Sequence, residues 1–197
     1  MEKIGLIGAA GLGRSTLAKE IAREKNITFL PSKNITRPIL KKHGWNALSA
    51  SRSGCNVEKF LARKDIEFEL VSDRIYQESL LVCGFVTDRT TLECFAYSLL
   101  RIEDYSDNDL KTLEDICRGN MSKYTHIFYF PYTSGWYEDN GIRTMSSYFQ
   151  WKIDMMIRGL LNDWDINYVQ MPGKMDMQEK SQFVLNCLHH IPPTSNM

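Results

Sequence analysis

The sequence predicts an α/β fold of three layers, in which helices cover both faces of a five-stranded parallel sheet. Short apolar segments alternate with longer segments whose apolar residues recur at helical spacing, and parallel sheets are built in this way. The chain of 197 residues is long enough for a domain with a full core. A glycine-rich loop follows the first apolar segment. We therefore expect ligands at the carboxyl ends of the strands.

Five short segments are the predicted strands, and a proline stops three of them. Pro31, Pro131 and Pro172 directly follow such segments, and proline interrupts a strand ladder. The predicted strands cover residues 4–7, 27–30, 84–87, 125–130 and 166–171.

Helices are predicted between the strands from the spacing of apolar residues. Thr90 and Glu93 form a capping box at the start of one helix, whose buried face runs to Leu100. The other predicted helices cover residues 15–22, 57–79, 107–120, 145–162 and 176–190. The polar residues 31–57 predict a mobile, loop-rich segment with room for one short helix.

The composition is that of an ordinary globular protein, and we expect a single domain. This domain covers residues 1–191, with a lid at about 132–148 and a flexible tail over 192–197. Hydrophobic residues make up 43% of the chain, and the formal net charge is zero, so no global basic excess points to nucleic acid. Five cysteines without a C-x-x-C pair predict reduced thiols and a cytoplasmic location.

Targeting and membrane segments are not expected. The N-terminus enters a strand almost at once, which argues against a signal peptide. No apolar run approaches the roughly 20 residues that span a membrane. The four histidines lack the spacing of metal ligands, and we expect no metal site built by protein side chains alone.

The glycine-rich loop fits the phosphate-loop pattern G-x-x-x-x-G-K-[ST] at every defined position but one. It links a predicted strand to a predicted helix, so residues 4–23 are interpreted as a cradle for nucleotide phosphates. Glycines let successive backbone N–H groups turn toward a phosphate, and the helix start adds a partial positive charge. The predicted nucleotide-binding residues are Gly8, Ala9, Ala10, Gly11, Leu12, Gly13, Arg14, Ser15 and Thr16.

Arg14 stands where the pattern has a lysine. Lysine is a compact charge that reaches the β- and γ-phosphates, whereas arginine is bulkier, planar and bidentate. Three interpretations remain open. Arg14 is a working substitute, or it marks weakened catalysis with binding retained, or it is a change introduced to trap the protein.

Three further residues are candidates for chemistry at this loop. The hydroxyl of Ser15 stands where it ligates Mg²⁺ together with the ATP phosphates. Asp88 ends a predicted strand and can hold Mg²⁺ through water or accept a proton from an attacking hydroxyl. Arg89 can clamp an anionic substrate or the transferring phosphoryl group. The alternative is an ordinary Asp-Arg pair that caps the next helix.

Other candidates lie farther along the chain. Arg143, in the lid, can swing onto phosphates as the lid closes, and its alternative role is in a solvated turn. Thr36 and Arg37 follow the second strand and are candidate substrate-binding residues. Gln150 and Asp154 lie one helical turn apart. A functional role and a solvated helix face explain this pair equally well.

The order of these segments resembles a known family. The segments are the glycine-rich loop, Thr-Arg at 36–37, Thr-Asp-Arg-Thr-Thr-Leu-Glu-Cys-Phe-Ala-Tyr at 87–97, Ile-Phe-Tyr-Phe-Pro at 127–131 and Asn-Gly-Ile-Arg at 140–143. Over most of residues 3–190, the chain resembles small P-loop kinases and AAA-like ATPase domains. That group includes bacterial nicotinamide riboside kinase domains and many bacteriophage nucleotide kinases.

The resemblance implies a P-loop NTPase fold with a helical lid and an enzyme with ATP and Mg²⁺ as cofactors. The enzyme transfers the γ-phosphate to a nucleoside or nucleotide, in phage nucleotide metabolism. By the same resemblance, residues 8–16 bind ATP and Asp88 is the base or the Mg²⁺ partner. Arg89 holds the acceptor or a phosphate, and Arg143 is the lid arginine.

Two alternatives to this function remain open. Similar phage enzymes phosphorylate 5-hydroxymethyluracil in DNA during base hypermodification. A polymeric substrate of that kind needs a basic cleft, and the candidate residues are Lys33, Arg37, Lys41, Lys42 and Arg52. The other alternative is a nucleotide-binding regulatory module with weak or no catalysis. No membrane partner is expected, and the oligomeric state stays open, a homodimer included.

Overall fold

The computed structural model describes residues 1–45, 57–132 and 147–190. Within them are five strands and seven α-helices, with one helix after β1, β4 and β5 and two consecutive helices after β2 and β3. The strands are β1 (Lys3–Gly8), β2 (Thr28–Leu30), β3 (Phe85–Thr87), β4 (His126–Phe130) and β5 (Val169–Gln170). The helices are α1 (Arg14–Lys25), α2 (Ser32–Lys42), α3 (Val57–Leu80), α4 (Thr91–Leu99), α5 (Asp107–Met121), α6 (Ser147–Asp163) and α7 (Met177–His190).

The five strands form one parallel sheet in the order β2-β3-β1-β4-β5, which confirms the predicted α/β fold. β1 lies at the centre, and its residues Ile4, Leu6 and Ile7 are fully buried. Because all strands run in the same direction, the carboxyl ends of β1 and β3 lie side by side. The glycine-rich loop and Asp88 therefore leave the sheet at the same edge.

The helices pack in two groups around this sheet. α1 contacts α7, and α4 contacts α5 and α6. The first group is held by the apolar face of α1, which buries Leu17, Ala18 and Ile21. In the second group α4 starts at the predicted capping box of Thr90 and Glu93, which the structure confirms. Satisfying the first backbone N–H groups of α4 lets this helix begin in a buried position.

α2 is longer than the one short helix allowed in the predicted loop. It makes about three turns and contains Pro38, which lacks the N–H that the helix ladder uses. Ile35, Ile39 and Leu40 are buried, and they pack with Ile66 of α3 in a small core of their own. Burial of this apolar face offsets the loss of a helix hydrogen bond at the proline. Because the burial depends on packing against α3, the local sequence pattern does not reveal it.

β5 is shorter than predicted. Val169–Gln170 pairs with Phe128 and Tyr129 of β4 at the edge of the sheet. Asp165, which precedes the predicted strand, has a left-handed φ of 53°. A turn of this kind delays the extended conformation, and an edge strand has one neighbour with which to pair.

Several predictions lie outside the described residues. They include most of the predicted lid, namely residues 133–146 with Arg143, and the predicted tail. Residues 46–56, part of the predicted loop, lie outside as well. Among the helices that the structure describes, none combines the length and the apolar character needed to cross a membrane.

Replacing Gly8 by alanine should destabilise the fold. Gly8 has a φ of +148°, and a Cβ at this position would lie 2.4 Å from the carbonyl oxygen of Phe130. Strained backbone of this kind costs about 1–3 kcal/mol, and the clash adds to it. Urea titration measures the free energy of unfolding. The matched control is Gly119→Ala in α5, where, apart from the adjacent residues and the backbone of the same helix, no atom of the described residues lies within 4 Å of the added Cβ. The control should stabilise by about 0.5–1 kcal/mol, and equal effects of the two variants would contradict the described loop geometry.

Candidate active site

The loop between β1 and α1 has the backbone of a phosphate cradle. Gly11 and Gly13 have φ values of 87° and 78°, which glycine adopts without a steric penalty. Gly13 directly precedes α1, and no side chain of the described residues caps this helix start. The Thr16 N–H donates to the carbonyl oxygen of Gly13 at 3.1 Å. Among the described residues no acceptor contacts the N–H groups of Arg14 and Ser15, so these two are left for a ligand. They also carry the positive end of the helix dipole.

A cleft opens in front of this loop, at the carboxyl ends of the strands as predicted. Its walls come from the loop, the start of α1 and the segments that follow β2 and β3. The lining residues are Ala10, Gly11, Leu12, Gly13, Arg14, Ser15, Thr16, Ser32, Asp88 and Arg89. Gly8 and Ala9, also predicted to bind nucleotide, are buried at the base of the loop and do not line the cleft.

Asp88 joins three elements at the cleft. Its Oδ2 accepts a hydrogen bond from the Ser15 hydroxyl at the start of α1, and its Oδ1 accepts one from the Ser32 N–H of α2 at 2.8 Å. Burial raises the pKa of Asp88, but these hydrogen bonds and the charge of Arg14 outweigh that effect and hold the pKa below its ordinary value. The carboxyl group is therefore ionised at neutral pH although it is only 7% exposed.

Arg14 is held from inside the protein. Its NH1 donates to Glu93 Oε1 at 2.5 Å and to the carbonyl oxygen of Leu6 at 3.0 Å. The side chain of Glu93 is fully buried and that of Arg14 is 8% exposed, so the two charges compensate each other in a place that water hardly reaches. The phosphate-loop pattern has a lysine at this position. This chain has an arginine there, and Glu93 is its carboxylate partner.

Arg89 is a cation fixed at the wall of the cleft. It is half-buried, and its guanidinium carbon lies 4.9 Å from the ring centroid of Tyr97. Burial lowers the pKa of Arg89, but Tyr97, Glu93 and Asp88 around it raise the pKa by more, so the group stays charged. Arg74 fixes the backbone at this point, because its NH1 donates to the carbonyl oxygen of Arg89 at 2.7 Å.

The polar residues of α6 support the site. Gln150 and Asp154 are buried, so their interpretation as a solvated face is wrong. Gln150 Oε1 accepts a hydrogen bond from the Ala10 N–H at 3.0 Å. Asp154 Oδ1 accepts bonds from the Tyr129 hydroxyl at 2.6 Å and from the Tyr132 N–H at 2.9 Å. α6 thus contacts both the glycine-rich loop and the end of β4.

The other predicted substrate residues do not line the cleft. On α2, Thr36 is half-buried and Arg37 is exposed, and neither contributes to the cleft wall. The first residue of the same helix, Ser32, lines it instead. Arg143 lies outside the described residues, and its role as lid arginine stays a prediction.

A second, smaller cleft adjoins the loop at Leu12. Its walls are formed by the end of β4, the segment after β5 and the first turn of α7. The lining residues are Leu12, Phe130, Pro131, Met171, Pro172, Gly173, Lys174 and Lys180. Apolar surface with nearby cations is thus continuous with the phosphate cradle.

The first cleft offers oxygen donors that suit a hard cation. The Ser15 hydroxyl and the Asp88 carboxylate are in contact. Mg²⁺ is commonly held by one or two protein oxygens together with phosphate and water oxygens. In the described ranges, no three His, Cys, Asp or Glu side chains converge as they do in a protein-built metal site. The donor set therefore fits a Mg²⁺ ion that arrives with a phosphate ligand.

Three contacts of the site were not predicted from the sequence. Glu93 was identified only as a helix cap, and its bond to Arg14 joins residues 79 positions apart, so no local pattern reveals it. The same holds for Gln150, which reaches Ala10 across 140 positions. Ser32 follows β2 almost directly, and its place after a strand end is a signal that could have identified it.

Comparison with known proteins identifies the family. A family model described as an AAA domain matches residues 3–180. The chain belongs to the AAA domain family. This match confirms the predicted resemblance to P-loop kinases and AAA-like ATPase domains. No curated protein matches the AAA domain of this chain at a significant level.

Solved structures show the same P-loop kinase fold as this AAA domain. The NadR protein in complex with NR has a TM-score of 0.71 and 15% identity, over 97% of this chain and 51% of that chain. Deoxyadenosine kinase from M. mycoides has a TM-score of 0.64 and 14% identity, over 96% and 100% of the two chains. Thymidylate kinase from Candida albicans has a TM-score of 0.54 and 16% identity, over 95% and 91%. The chain spans about half the length of NadR.

Replacing Asp88 by asparagine should remove a pH-dependent part of the stability of the AAA domain. Because its pKa is lowered in the folded state, the ionised carboxyl group adds stability above its ordinary pKa of about 4, and this stability is lost as the pH falls toward the folded-state value. Between about pH 5 and pH 3, the free energy of unfolding should therefore fall more steeply for the wild type than for Asp88→Asn. Urea titrations at several pH values measure both slopes. Parallel slopes would contradict the described environment of Asp88.

Proposed function

We propose that the chain is an ATP-dependent kinase that transfers the γ-phosphate to a nucleoside or nucleotide. The observation that carries this proposal is the contact of Ser15 with the ionised Asp88 in front of the phosphate cradle. A phosphate loop alone serves many functions. A buried carboxylate and the cation of Arg89 in the same cleft are the groups that phosphoryl transfer to a hydroxyl requires.

In this proposal the loop and the start of α1 bind the phosphates of ATP. Backbone N–H groups donate to phosphate oxygens, and the helix dipole favours their negative charge. Mg²⁺ would be held by the Ser15 hydroxyl and by Asp88, directly or through water, and when bound it neutralises charge on the β- and γ-phosphates. The hydrogen bond between Ser15 and Asp88 already places these two oxygen donors side by side.

Asp88 is also the candidate base. Its carboxylate accepts the proton of the acceptor hydroxyl while the oxygen of that hydroxyl forms a bond to the γ-phosphorus. The bond between the γ-phosphorus and the oxygen that bridges to the β-phosphate breaks, and ADP leaves with that oxygen. Arg89 balances the charge on the transferred group from the wall of the cleft.

The second cleft is the proposed site of the adenine ring. It adjoins the cradle at Leu12, so a base joined to phosphates in the cradle can reach it. Phe130 and Met171 supply apolar surface there. Burying the faces of a planar base against such surface is favourable, as in most nucleotide pockets.

A nucleoside-like acceptor is supported by the similar structures and by the aromatic rings that pack behind Arg89, next to the first cleft. NadR is in complex with NR, and deoxyadenosine kinase is bound to dATP or to products that include dCMP. Here Tyr97 lies under Arg89 and 6.4 Å from the ring of Phe149. The setting that we propose is bacteriophage nucleotide metabolism in the host cytoplasm. The free thiols of the four described cysteines support a reducing compartment.

A kinase that acts on 5-hydroxymethyluracil in phage DNA is the second candidate, and one observation favours it. Lys33, Arg37 and Lys41 are exposed on α2 at intervals of four residues, which aligns them on one helix face. The helix begins at Ser32 in the cleft wall. A row of cations that leads away from the cleft suits a DNA phosphate backbone, and a free nucleoside does not require it.

Transfer of label from γ-labelled ATP tests the proposal. The protein with Mg²⁺ is offered nucleosides, nucleotides and duplex DNA that contains 5-hydroxymethyluracil. We expect labelled nucleoside or nucleotide. Label on the DNA instead would favour the second candidate. Binding of ATP without transfer to any acceptor would contradict both kinases and leave a nucleotide-binding regulatory module.

Two variants test the roles of the site residues in this assay. Asp88→Asn should lower turnover by roughly 10²-fold, because a positioned general base is lost. Ser15→Ala should weaken the binding of Mg²⁺·ATP more than the binding of ATP in the presence of EDTA. Ser79→Ala and Asp115→Asn, at exposed positions on α3 and α5, are the matched controls and should change neither quantity. Near-normal turnover of Asp88→Asn would reduce this residue to a helix-start role.

A further inference from the structure

Glu93 serves two partners with its two carboxylate oxygens. Oε2 accepts a hydrogen bond from the Thr90 N–H at 3.0 Å and completes the capping box of α4. Oε1 accepts the bond from Arg14 NH1 at 2.5 Å. The carboxylate is fully buried, and a buried carboxylate is costly unless a cation pairs with it. The capping box therefore depends on Arg14 as well as on Thr90.

The guanidinium of Arg14 is only partly used by these contacts. NH1 donates to Glu93 and also to the carbonyl oxygen of Leu6. In the described part of the chain, no acceptor contacts Nε or NH2, and Arg14 lines the cleft. A guanidinium carries five N–H donors in one plane, so several donors remain for a ligand in the cleft after NH1 is anchored.

A lysine at position 14 could not pair with Glu93 and bind the phosphates in the cradle at the same time. Its ammonium is a single compact charge at the end of a flexible stem. At position 14 it would be drawn to Glu93, because the buried carboxylate would otherwise lack a cation. A nitrogen engaged there is withheld from the phosphates in the cradle. The planar guanidinium separates its anchoring nitrogen from its other donors, and arginine therefore suits a loop with this carboxylate behind it.

We propose that Glu93 is the positioning residue that makes Arg14 the phosphate-binding cation of this loop, an inference that rests on the proposed binding of ATP phosphates in the first cleft. Glu93 holds NH1, and the remaining N–H groups of the guanidinium face phosphate oxygens. The arginine at position 14 and the carboxylate at position 93 act as one unit. Of the three interpretations of Arg14, this is the working substitute.

Four proteins test the unit: the wild type, Arg14→Lys, Glu93→Gln and the double variant. Glutamine also suits the third position of a capping box, so Glu93→Gln keeps the helix cap and removes the charge. Isothermal titration calorimetry with Mg²⁺·ATP is the measurement. We expect Arg14→Lys to weaken affinity by about tenfold or more, and Glu93→Gln, which loosens the guanidinium, by less.

The double variant gives the decisive result. With the carboxylate neutralised, the lysine is released toward the phosphates, and affinity should return to within about threefold of the wild type. A purely structural role of the pair predicts the opposite, a double variant at least as impaired as Arg14→Lys. Undiminished affinity of Arg14→Lys, or a double variant that recovers nothing, would overturn the proposal. If the variants at position 93 do not fold, an undiminished affinity of Arg14→Lys overturns the proposal, and a tenfold loss of affinity at an unchanged melting temperature supports it.

Glu179→Gln is the matched control. Glu179 is the corresponding residue of the capping box that starts α7, where its Oε2 accepts from the Asp176 N–H at 2.8 Å. It is exposed, and in the described ranges no arginine pairs with it. This variant should bind Mg²⁺·ATP like the wild type. The melting temperature of each variant, measured without nucleotide, reports whether the fold is intact.

Calorimetry also separates this proposal from the proposed kinase activity, because binding does not require phosphoryl transfer. If the wild type transfers phosphate but the double variant recovers no affinity, the proposed role of Glu93 in positioning Arg14 is wrong and the proposed kinase activity is right. If the four affinities follow the expected order but no acceptor is phosphorylated, the unit stands and the kinase is wrong. If the wild type binds no Mg²⁺·ATP, both are wrong.

Discussion

The carboxylate of Asp88 is the group on which the arrangement of the site depends. It leaves the end of β3, binds the start of α1 through Ser15 and binds the start of α2 through Ser32. A buried charge has to be satisfied by such partners, so the hydrogen bonds fix the glycine-rich loop relative to the segment after β2. The sheet order makes this possible, since β1, β3 and β2 are neighbours and end at one edge.

Behind this carboxylate lie two buried arginines, and both donate hydrogen bonds to backbone carbonyl oxygens. Arg14 bonds a carbonyl of β1 and Glu93 of α4, and Arg74 of α3 bonds the carbonyl of Arg89. Each guanidinium thereby links elements that are distant in sequence, which side-chain packing alone does with less directional precision. The cleft is thus preorganised by polar contacts inside the protein, and a phosphate ligand would meet groups that are already in place.

Local patterns were enough to predict the sheet and the loop, but not the partners of the site. The strands and the capping box of Thr90 and Glu93 were predicted because runs of apolar residues and cap spacings are local signals. α2 was underestimated because Pro38 argues against a helix whose buried face is visible only after folding. The pairing of Arg14 with Glu93 and the contact of Gln150 with Ala10 arise from tertiary packing, which spacing along one chain does not encode.

A structure of the protein with Mg²⁺ and a non-hydrolysable ATP analogue would show whether the loop between β1 and α1 binds nucleotide phosphates beside Asp88. The expected structure has the γ-phosphate near Ser15 and Asp88, Mg²⁺ on the Ser15 hydroxyl, and Arg14 still bonded to Glu93 while its free N–H groups contact phosphate oxygens. Phosphates bound away from this loop, or a loop that stays empty at saturating analogue, would contradict this binding.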